Sequence, residues 1–208
     1  MTDLSADTMR KIFNDLSLAL EEKNISAEAF IVGGAAMALA YDHTRTTRDI
    51  DAVFSQGQIV HQLANQLRET YHLPKNWLND AAKGFMPGND KEAKVIFHTA
   101  NLTVSVASPR YMLAMKLFSG RPGRDYQDAA LLVNQLDLSS VEQCEQILQE
   151  YYPQRLLLPK HQYICAEVFD ISKYIRQAPS RTEVIDHNEE NHSRSIMHAH
   201  KPRKYPRR

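Results

Sequence analysis

The chain has 208 residues, and 25 Lys and Arg balance 25 Asp and Glu, so its formal net charge is zero. Apolar residues make up 43% and charged residues 24%, which is ordinary for one globular domain or for a core with a helical addition. No stretch approaches the ~20 apolar residues of a membrane span, and neutrality argues against a general nucleic-acid coat protein. The acidic N-terminal segment lacks the features of a signal peptide, so we predict a cytoplasmic location.

The first half of the chain alternates helical and extended patterns. In chain order, the apolar spacing predicts a helix, a strand, a short buried helix, a second strand and an amphipathic helix, over residues 5–22, 30–32, 35–41, 49–54 and 56–71. Residues 74–93 are rich in Pro, Gly, Asn and Asp, which is typical of a long irregular connection.

The second half begins with a hairpin and continues as helices. Two extended segments, 94–98 and 102–107, flank a short turn. Ser108 followed by Pro109 predicts the start of a helix, and Gly120 its end. Further helices are predicted over 125–136, from a capping box at Ser139–Glu142, and over 159–176. Periodicity disappears from 178 to 208, which predicts a largely disordered, basic, His-containing tail.

This order of elements predicts the fold class and the organisation of the chain. It favours a mixed α/β (α+β) fold with a small mixed sheet, flanking helices and a helical C-terminal part. We predict a core over 1–107, a helical part over 108–177 that completes the functional site, and a tail over 178–208.

Two aspartates at the start of the second strand are the first candidate for chemistry. Asp49 and Asp51 are two residues apart, so on a strand they point the same way and lie about 6.5–7 Å apart. Paired carboxylates can converge on a hard divalent cation such as Mg²⁺. Solvated acids on an edge strand are the alternative interpretation.

The residues that precede these acids are of types that bind phosphate. Gly33 and Gly34 separate a strand from a helix, and glycines there let the backbone approach a ligand while helix-start N–H groups hold an anion. A simple turn is the alternative. Arg45 and Arg48 lie in the following loop, and arginine is well shaped for phosphate oxygens, although surface arginines are the alternative here too.

These residues resemble a known signature. Gly33-Gly34 followed by Arg45-Thr-Thr-Arg-Asp-Ile-Asp51 resembles the Gly-Gly/Ser…Asp-x-Asp signature of the polymerase-β-like nucleotidyltransferase superfamily. A second block, Lys116 to Asp128, resembles the Lys-Leu-x-x-x-x-Arg-x-x-x-Asp-x-x-Asp block of AbiEii-type abortive-infection toxin nucleotidyltransferases and their bacterial relatives. The matching stretches cover about a quarter of the chain.

The resemblance implies a sheet of the nucleotidyltransferase type and an enzyme that uses Mg²⁺ or Mn²⁺. Such an enzyme moves an NMP group from an NTP to a hydroxyl of RNA, for example a tRNA end, or of a protein. The implied roles are metal binding by Asp49 and Asp51, nucleotide binding by Gly33, Gly34, Arg45, Arg48 and Lys116, and orientation of Lys116 or general-base catalysis by Asp125 or Asp128.

Two departures from the family pattern keep an alternative open. Gly34 stands where many members have Ser, and Thr103 and Ser105 occupy a strand that in many members carries a third carboxylate. The alternative is a catalytically degenerate nucleotide-binding or antitoxin-like module. The relatives also suggest a toxin–antitoxin or phage-defence setting with a cognate partner. Trp77 and Phe85 are candidates for stacking on a base, with packing beneath the connection as the alternative.

Overall fold

The computed structural model describes residues 3–177. Of these, residues 3–172 belong to one compact unit and residues 173–177 to a second. The helices and strands, in chain order, are α1 (Ala6–Glu21), β1 (Ala27–Val32), α2 (Gly33–Ala36), β2 (Ile50–Phe54), α3 (Gly57–Thr70), β3 (Leu78–Asn79), β4 (Lys94–His98), β5 (Leu102–Val106), α4 (Pro109–Ser119), α5 (Arg124–Gln135), α6 (Val141–Tyr151) and α7 (Pro159–Gln177).

The strands form one mixed sheet in the order β3-β2-β1-β5-β4. The central strand β1 pairs antiparallel with β2 and parallel with β5. The short β3 runs parallel to β2, and β4 completes the predicted hairpin with β5. The predicted mixed α/β fold with flanking helices and a helical C-terminal part is therefore confirmed.

One face of the sheet forms the core. Ile31, Ala52 and Val104 on this face are at most 1% exposed, because α1 contacts β5 and α3 contacts β2 there. The helix α1 contributes five buried apolar residues at helical spacing: Met9, Ile12, Phe13, Leu16 and Leu20. The apolar side chains of the strands and the apolar face of α1 thus pack together in one layer.

The opposite face of the sheet carries α4. Phe30 of β1 packs edge to face on Tyr111 of α4, with ring centroids 5.5 Å apart. The start of α4 is fixed as predicted, because the Ser108 hydroxyl accepts a hydrogen bond from the Tyr111 N–H at 3.3 Å. Its end is fixed by Gly120, which adopts the left-handed conformation with φ of 59°. Two hollows remain between this face and the elements above it.

Several predicted boundaries were wrong in detail. The helix after β1 begins at Gly33, two residues early, and continues as a π-helix over Met37–Tyr41. The second strand begins at Ile50 and so contains only Asp51, while the carbonyl of Asp49 accepts a hydrogen bond from the Thr47 hydroxyl at 3.1 Å. The capping box did not form: the Ser139 N–H donates to the Gln143 side chain at 2.6 Å.

The connection predicted to be irregular contains two short elements. Leu78 and Asn79 form β3, which pairs with Ile50 and Asp51, and Ala81–Phe85 form a 3-10 helix. A strand of two residues is too short to show alternation, so composition alone could not reveal it. None of the helices within 3–177 has the length and apolar character needed to cross a membrane. The predicted tail over 178–208 lies outside the described residues.

Candidate active site

A cavity of about 270 Å³ lies between the partly covered sheet face and α4. Asp51 from β2 and Gly33 from the turn after β1 line it on the sheet side. Lys116 from α4 and Arg121 from the segment after α4 line it on the helix side. The two sequence blocks that lie 65 residues apart in the chain (Asp51 and Lys116) therefore meet at one cavity.

The glycine turn is required by close packing. Gly33 has a φ of +67°, and a Cβ added there would lie 2.9 Å from Oδ2 of Asp51. A Cβ on Gly34 would lie 2.8 Å from the Thr47 hydroxyl. Only a residue without a side chain therefore lets the backbone lie against the Asp51 carboxylate. Gly34 packs on the loop before β2 and is not among the residues that line the cavity.

Asp51 is a partly buried carboxylate at the sheet end of the cavity. Burial raises its pKa, and the nearby negative charge of Asp49 raises it further. The charges of Arg121 and Lys116 and a hydrogen bond with Asn79 act in the opposite direction. Asn79 reaches this position because β3 places it directly beside Asp51 in the sheet.

Asp49 lies close to Asp51 and lines a second hollow. It lies just before β2 and lines a polar hollow of about 460 Å³ together with Thr46, Thr47, Arg48 and Arg124. The two carboxylates are nevertheless close enough for the charge of one to shift the pKa of the other. Asp51 lies on β2 and Asp49 directly precedes it, and the two carboxylates form an interacting pair.

Lys116 is held by two aspartates inside the protein. Its Nζ donates to Oδ1 of Asp125 at 2.5 Å and to Oδ2 of Asp128 at 2.7 Å. The Lys116 side chain is 7% exposed and that of Asp128 is fully buried. The spacing of three residues places both acids on the same side of α5, which packs on α4. An ammonium group has three donors, so these two bonds leave one N–H for a ligand in the cavity.

Two arginines complete this cluster, one at each aspartate. Arg45 forms an ion pair with the other oxygen of Asp128, and its Nε has no hydrogen-bond partner although it is buried. Arg121 donates to Oδ2 of Asp125 at 2.9 Å while most of its side chain stays exposed. Burial alone would raise the pKa of Asp125, but Lys116 and then Arg121 hold that pKa below its usual range.

The two arginines predicted to bind nucleotide therefore occupy different environments. Arg45 lies at the Asp128 carboxylate, which makes it part of the buried cluster. Arg48 is exposed, lies 4.0 Å from an Asp3 oxygen, and lines the polar hollow with Asp49. Of the two, only Arg48 presents its guanidinium to open space.

The donor set at the sheet end fits a magnesium ion. Asp49 and Asp51 supply hard carboxylate oxygens, and their mutual repulsion is the kind that a divalent cation relieves. Protein Mg²⁺ sites commonly use one or two carboxylates and complete the coordination with substrate phosphates and water. Within residues 3–177, no cluster of three or more His, Cys, Asp or Glu side chains forms a complete metal site. Thr103 and Ser105 lie instead at a second hollow along the sheet face.

Two residues of the site, Arg121 and Asn79, were not assigned roles from the sequence. Arg121 had a usable signal, since it lies in the second block four residues before Asp125. No sequence signal indicated a role for Asn79, because its position depends on a two-residue strand. Phe85 lines the cavity and is 56% exposed, whereas Trp77, the other aromatic candidate, is buried at 2% exposure and packs in the core.

A glycine turn, an aspartate and a lysine line one cavity, and a second aspartate lies close to the first. Such groups suit nucleotidyl transfer, since this reaction depends on positioning and charge neutralisation. Residues 7–156 match the model of a family described as a nucleotidyltransferase of unknown function (DUF6036). The chain belongs to this nucleotidyltransferase family.

Comparisons with individual proteins add one structural likeness. No curated protein matches the sequence. The chain is similar to a solved structure described as an antigenic nucleotidyltransferase-like protein from Paracoccidioides brasiliensis. The two share 17% sequence identity, and the alignment covers 81% of this chain and all of the other with a TM-score of 0.42.

Proposed function

We propose that this protein is a Mg²⁺-dependent enzyme that transfers an NMP group from an NTP to an acceptor hydroxyl. The observation that carries the proposal is that Asp51, Gly33 and Lys116 line a single cavity. Membership of a nucleotidyltransferase family supports the class of reaction. The resemblance of the Lys116–Asp128 block to toxin nucleotidyltransferases supports RNA or protein as the acceptor.

In the proposed reaction, the acceptor oxygen forms a bond to the α-phosphorus of the NTP. The bond from that phosphorus to the oxygen bridging to the β-phosphate breaks, pyrophosphate leaves, and the hydroxyl proton passes to solvent water. The metal ion, held by Asp49 and Asp51, would neutralise charge on the phosphate oxygens. The backbone at Gly33 lies against the Asp51 carboxylate, and both residues line the cavity that would receive the phosphates.

The positive side of the cavity binds and orients the phosphates in this proposal. Lys116 contributes its third N–H, and Arg121 contributes an exposed guanidinium. Asp128 is fully buried and bonded to both Lys116 and Arg45, so its placement favours orientation of Lys116 over contact with an acceptor. Asp125 is bonded to Lys116 and Arg121 in the same way.

A transfer assay tests the proposal. The protein is incubated with each α-³²P-labelled NTP, Mg²⁺, and either total tRNA or a protein extract, and labelled macromolecule and pyrophosphate are measured. We expect Mg²⁺-dependent label on one acceptor class and none with Asp51→Ala. Val53→Ala is a suitable control because Val53 is on the same strand and is not a residue of the 270 Å³ cavity. Label that is insensitive to Asp51→Ala would refute the proposal.

One observation favours a second candidate, a nucleotide-binding module without turnover. Lys116 is already bonded to two carboxylates, and the described residues offer a carboxylate pair rather than a larger metal-binding set. Mg²⁺-dependent binding of NTP without label transfer or pyrophosphate release would support this module.

The setting proposed from the resemblance is a toxin–antitoxin pair or phage defence, with a cognate partner protein. Induced expression in a bacterial host tests it. We expect the native chain to slow growth and the Asp51→Ala chain to have no effect. Equal growth with both chains would refute the toxin interpretation. It would not bear on the transferase proposal, which the label-transfer assay tests.

A further inference from the structure

The cavity that holds Asp51 and Lys116 has a second, apolar half. The apolar half of its lining consists of Ala81, Ala82 and Phe85 of the 3-10 helix and Met112 and Met115 of α4. A volume of about 270 Å³ is smaller than a typical site for a whole cofactor-sized molecule, so the cavity suits one part of a larger ligand. A molecule whose phosphates bind the charged groups of this cavity would bring its next group against these apolar side chains.

Phe85 is the exposed aromatic side chain of this half. Its ring is 56% exposed, yet its backbone is held in place, because the Tyr152 hydroxyl donates to the Phe85 carbonyl at 2.5 Å. Tyr152 is 4% exposed and stacks on Phe118 with ring centroids 4.1 Å apart. The segment is therefore anchored on the helical part of the protein while the Phe85 ring remains available at the cavity.

Among residues 3–177, the apolar half of the lining offers no side chain that could recognise the edge of a base. The walls there are alanine, methionine and phenylalanine, and the Ser119 hydroxyl donates to the Lys116 carbonyl at 3.1 Å within its own helix. An aromatic ring and thioether groups attract any flat aromatic ligand through stacking and dispersion. Every nucleobase has such a face, so binding of this kind tolerates all four bases.

We propose that Phe85 is the stacking platform for the base of the NTP, and that the site accepts ATP, GTP, CTP and UTP with similar affinity. This inference rests on the proposed function, since it takes the charged end of the cavity as the phosphate site. It adds that the protein selects its donor by the triphosphate and by the flatness of the base, not by the identity of the base.

Calorimetric titration of the full chain in the presence of Mg²⁺ tests this inference. The four NTPs and inorganic tripolyphosphate are titrated into the native chain and into Phe85→Ala, Phe85→Trp and Tyr163→Ala. Tyr163 is the matched control, because it is an aromatic residue that is 77% exposed and does not line the cavity. Circular dichroism and the melting temperature verify that each variant is folded.

We expect the four NTPs to bind the native chain with Kd values within about a factor of five of one another. Phe85→Ala should weaken all four by roughly fivefold or more, since base–aromatic stacking contributes that much to binding. The same variant should leave the Kd of tripolyphosphate unchanged, Phe85→Trp should retain NTP binding, and Tyr163→Ala should change nothing.

The outcomes separate this inference from the function on which it rests. If tripolyphosphate and NTPs bind but Phe85→Ala leaves NTP affinity unchanged, the stacking role is overturned while the phosphate site stands. A preference of a hundredfold or more for one base would also overturn it. If the native chain binds neither NTP nor tripolyphosphate, the inference fails together with the proposed function.

Discussion

Lys116 of α4 donates a hydrogen bond of 2.7 Å to Asp128 of α5, and both side chains are buried. The amine also donates to Asp125, and the second oxygen of Asp128 receives Arg45. With Arg121 the cluster contains three cations and two carboxylates, so one positive charge is in excess at the edge of the cavity. That excess faces Asp51, whose pKa both Lys116 and Arg121 lower.

Replacement of Lys116 tests how far this cluster supports the fold. Lys116→Met leaves Asp125 with Arg121 alone and Asp128 with Arg45 alone, and removal of one partner from a buried ion pair costs roughly 3–5 kcal/mol. We expect the free energy of unfolding, measured in urea, to fall by that amount. Lys160→Met is the control, because Lys160 is exposed and should change stability by less than about 0.5 kcal/mol. Equal values for the two variants would mean that the buried pair contributes nothing.

The same measurement of unfolding free energy should distinguish Arg45 from Arg48. Arg45→Met removes a buried partner of Asp128 and should lower the free energy of unfolding by roughly 2–3 kcal/mol, since Lys116 still neutralises the carboxylate. Arg48→Ala removes an exposed side chain 4.0 Å from Asp3 and should stay within about 0.5 kcal/mol of the native chain. If Arg48→Ala were the more damaging change, the assignment of Arg45 to the buried cluster would be wrong.

Gly33 should tolerate no side chain. Gly33→Ala places a Cβ 2.9 Å from the Asp51 carboxylate and forces a left-handed backbone that costs other residues about 1–2 kcal/mol. We expect a loss of that size in unfolding free energy and a weaker response of the protein to Mg²⁺ in a thermal-shift titration. Gly57→Ala is the matched control, because its Cβ meets open space at the start of α3. A Gly33→Ala chain with native stability would contradict the close contact with Asp51.

His161 should make stability depend on pH. Its ring is 4% exposed and stacks on Phe118, and its Nδ1 accepts a hydrogen bond from the Leu158 N–H at 2.9 Å. Burial, and then the charge of Lys160, lowers the pKa of His161 from its ordinary value near 6.5. The unfolded state therefore binds the proton more readily, and this residue lowers the free energy of unfolding as pH falls through 6.5.

A variant that does not titrate isolates this effect. His161→Asn retains a hydrogen-bond acceptor but carries no ionisable ring. The melting temperature of the native chain should exceed that of His161→Asn by less at pH 5.5 than at pH 7.5, because only the native chain loses stability through protonation of this residue. A difference that is the same at both pH values would show that His161 titrates normally.

The sequence predicts the secondary-structure elements better than the contacts between them. Ser108-Pro109 and Gly120 fix α4 at both ends, because capping is local chemistry that a few residues determine. The contact between Asp51 and Asn79 depends on a strand of two residues, for which no periodic pattern exists. The role of Arg45 also depends on tertiary structure, since its partner Asp128 lies 83 positions away in the chain. Local signals therefore predict the fold, whereas the pairing of charges requires the coordinates.

The most direct test of the account is a calorimetric titration of the native chain and Asp51→Asn with a non-hydrolysable NTP analogue, with and without Mg²⁺. Asp51→Asn keeps the size of the side chain and removes the charge that would hold the metal. The account predicts binding to the native chain that requires Mg²⁺ and is lost in Asp51→Asn. Binding that is equal in the two chains and independent of Mg²⁺ would contradict it.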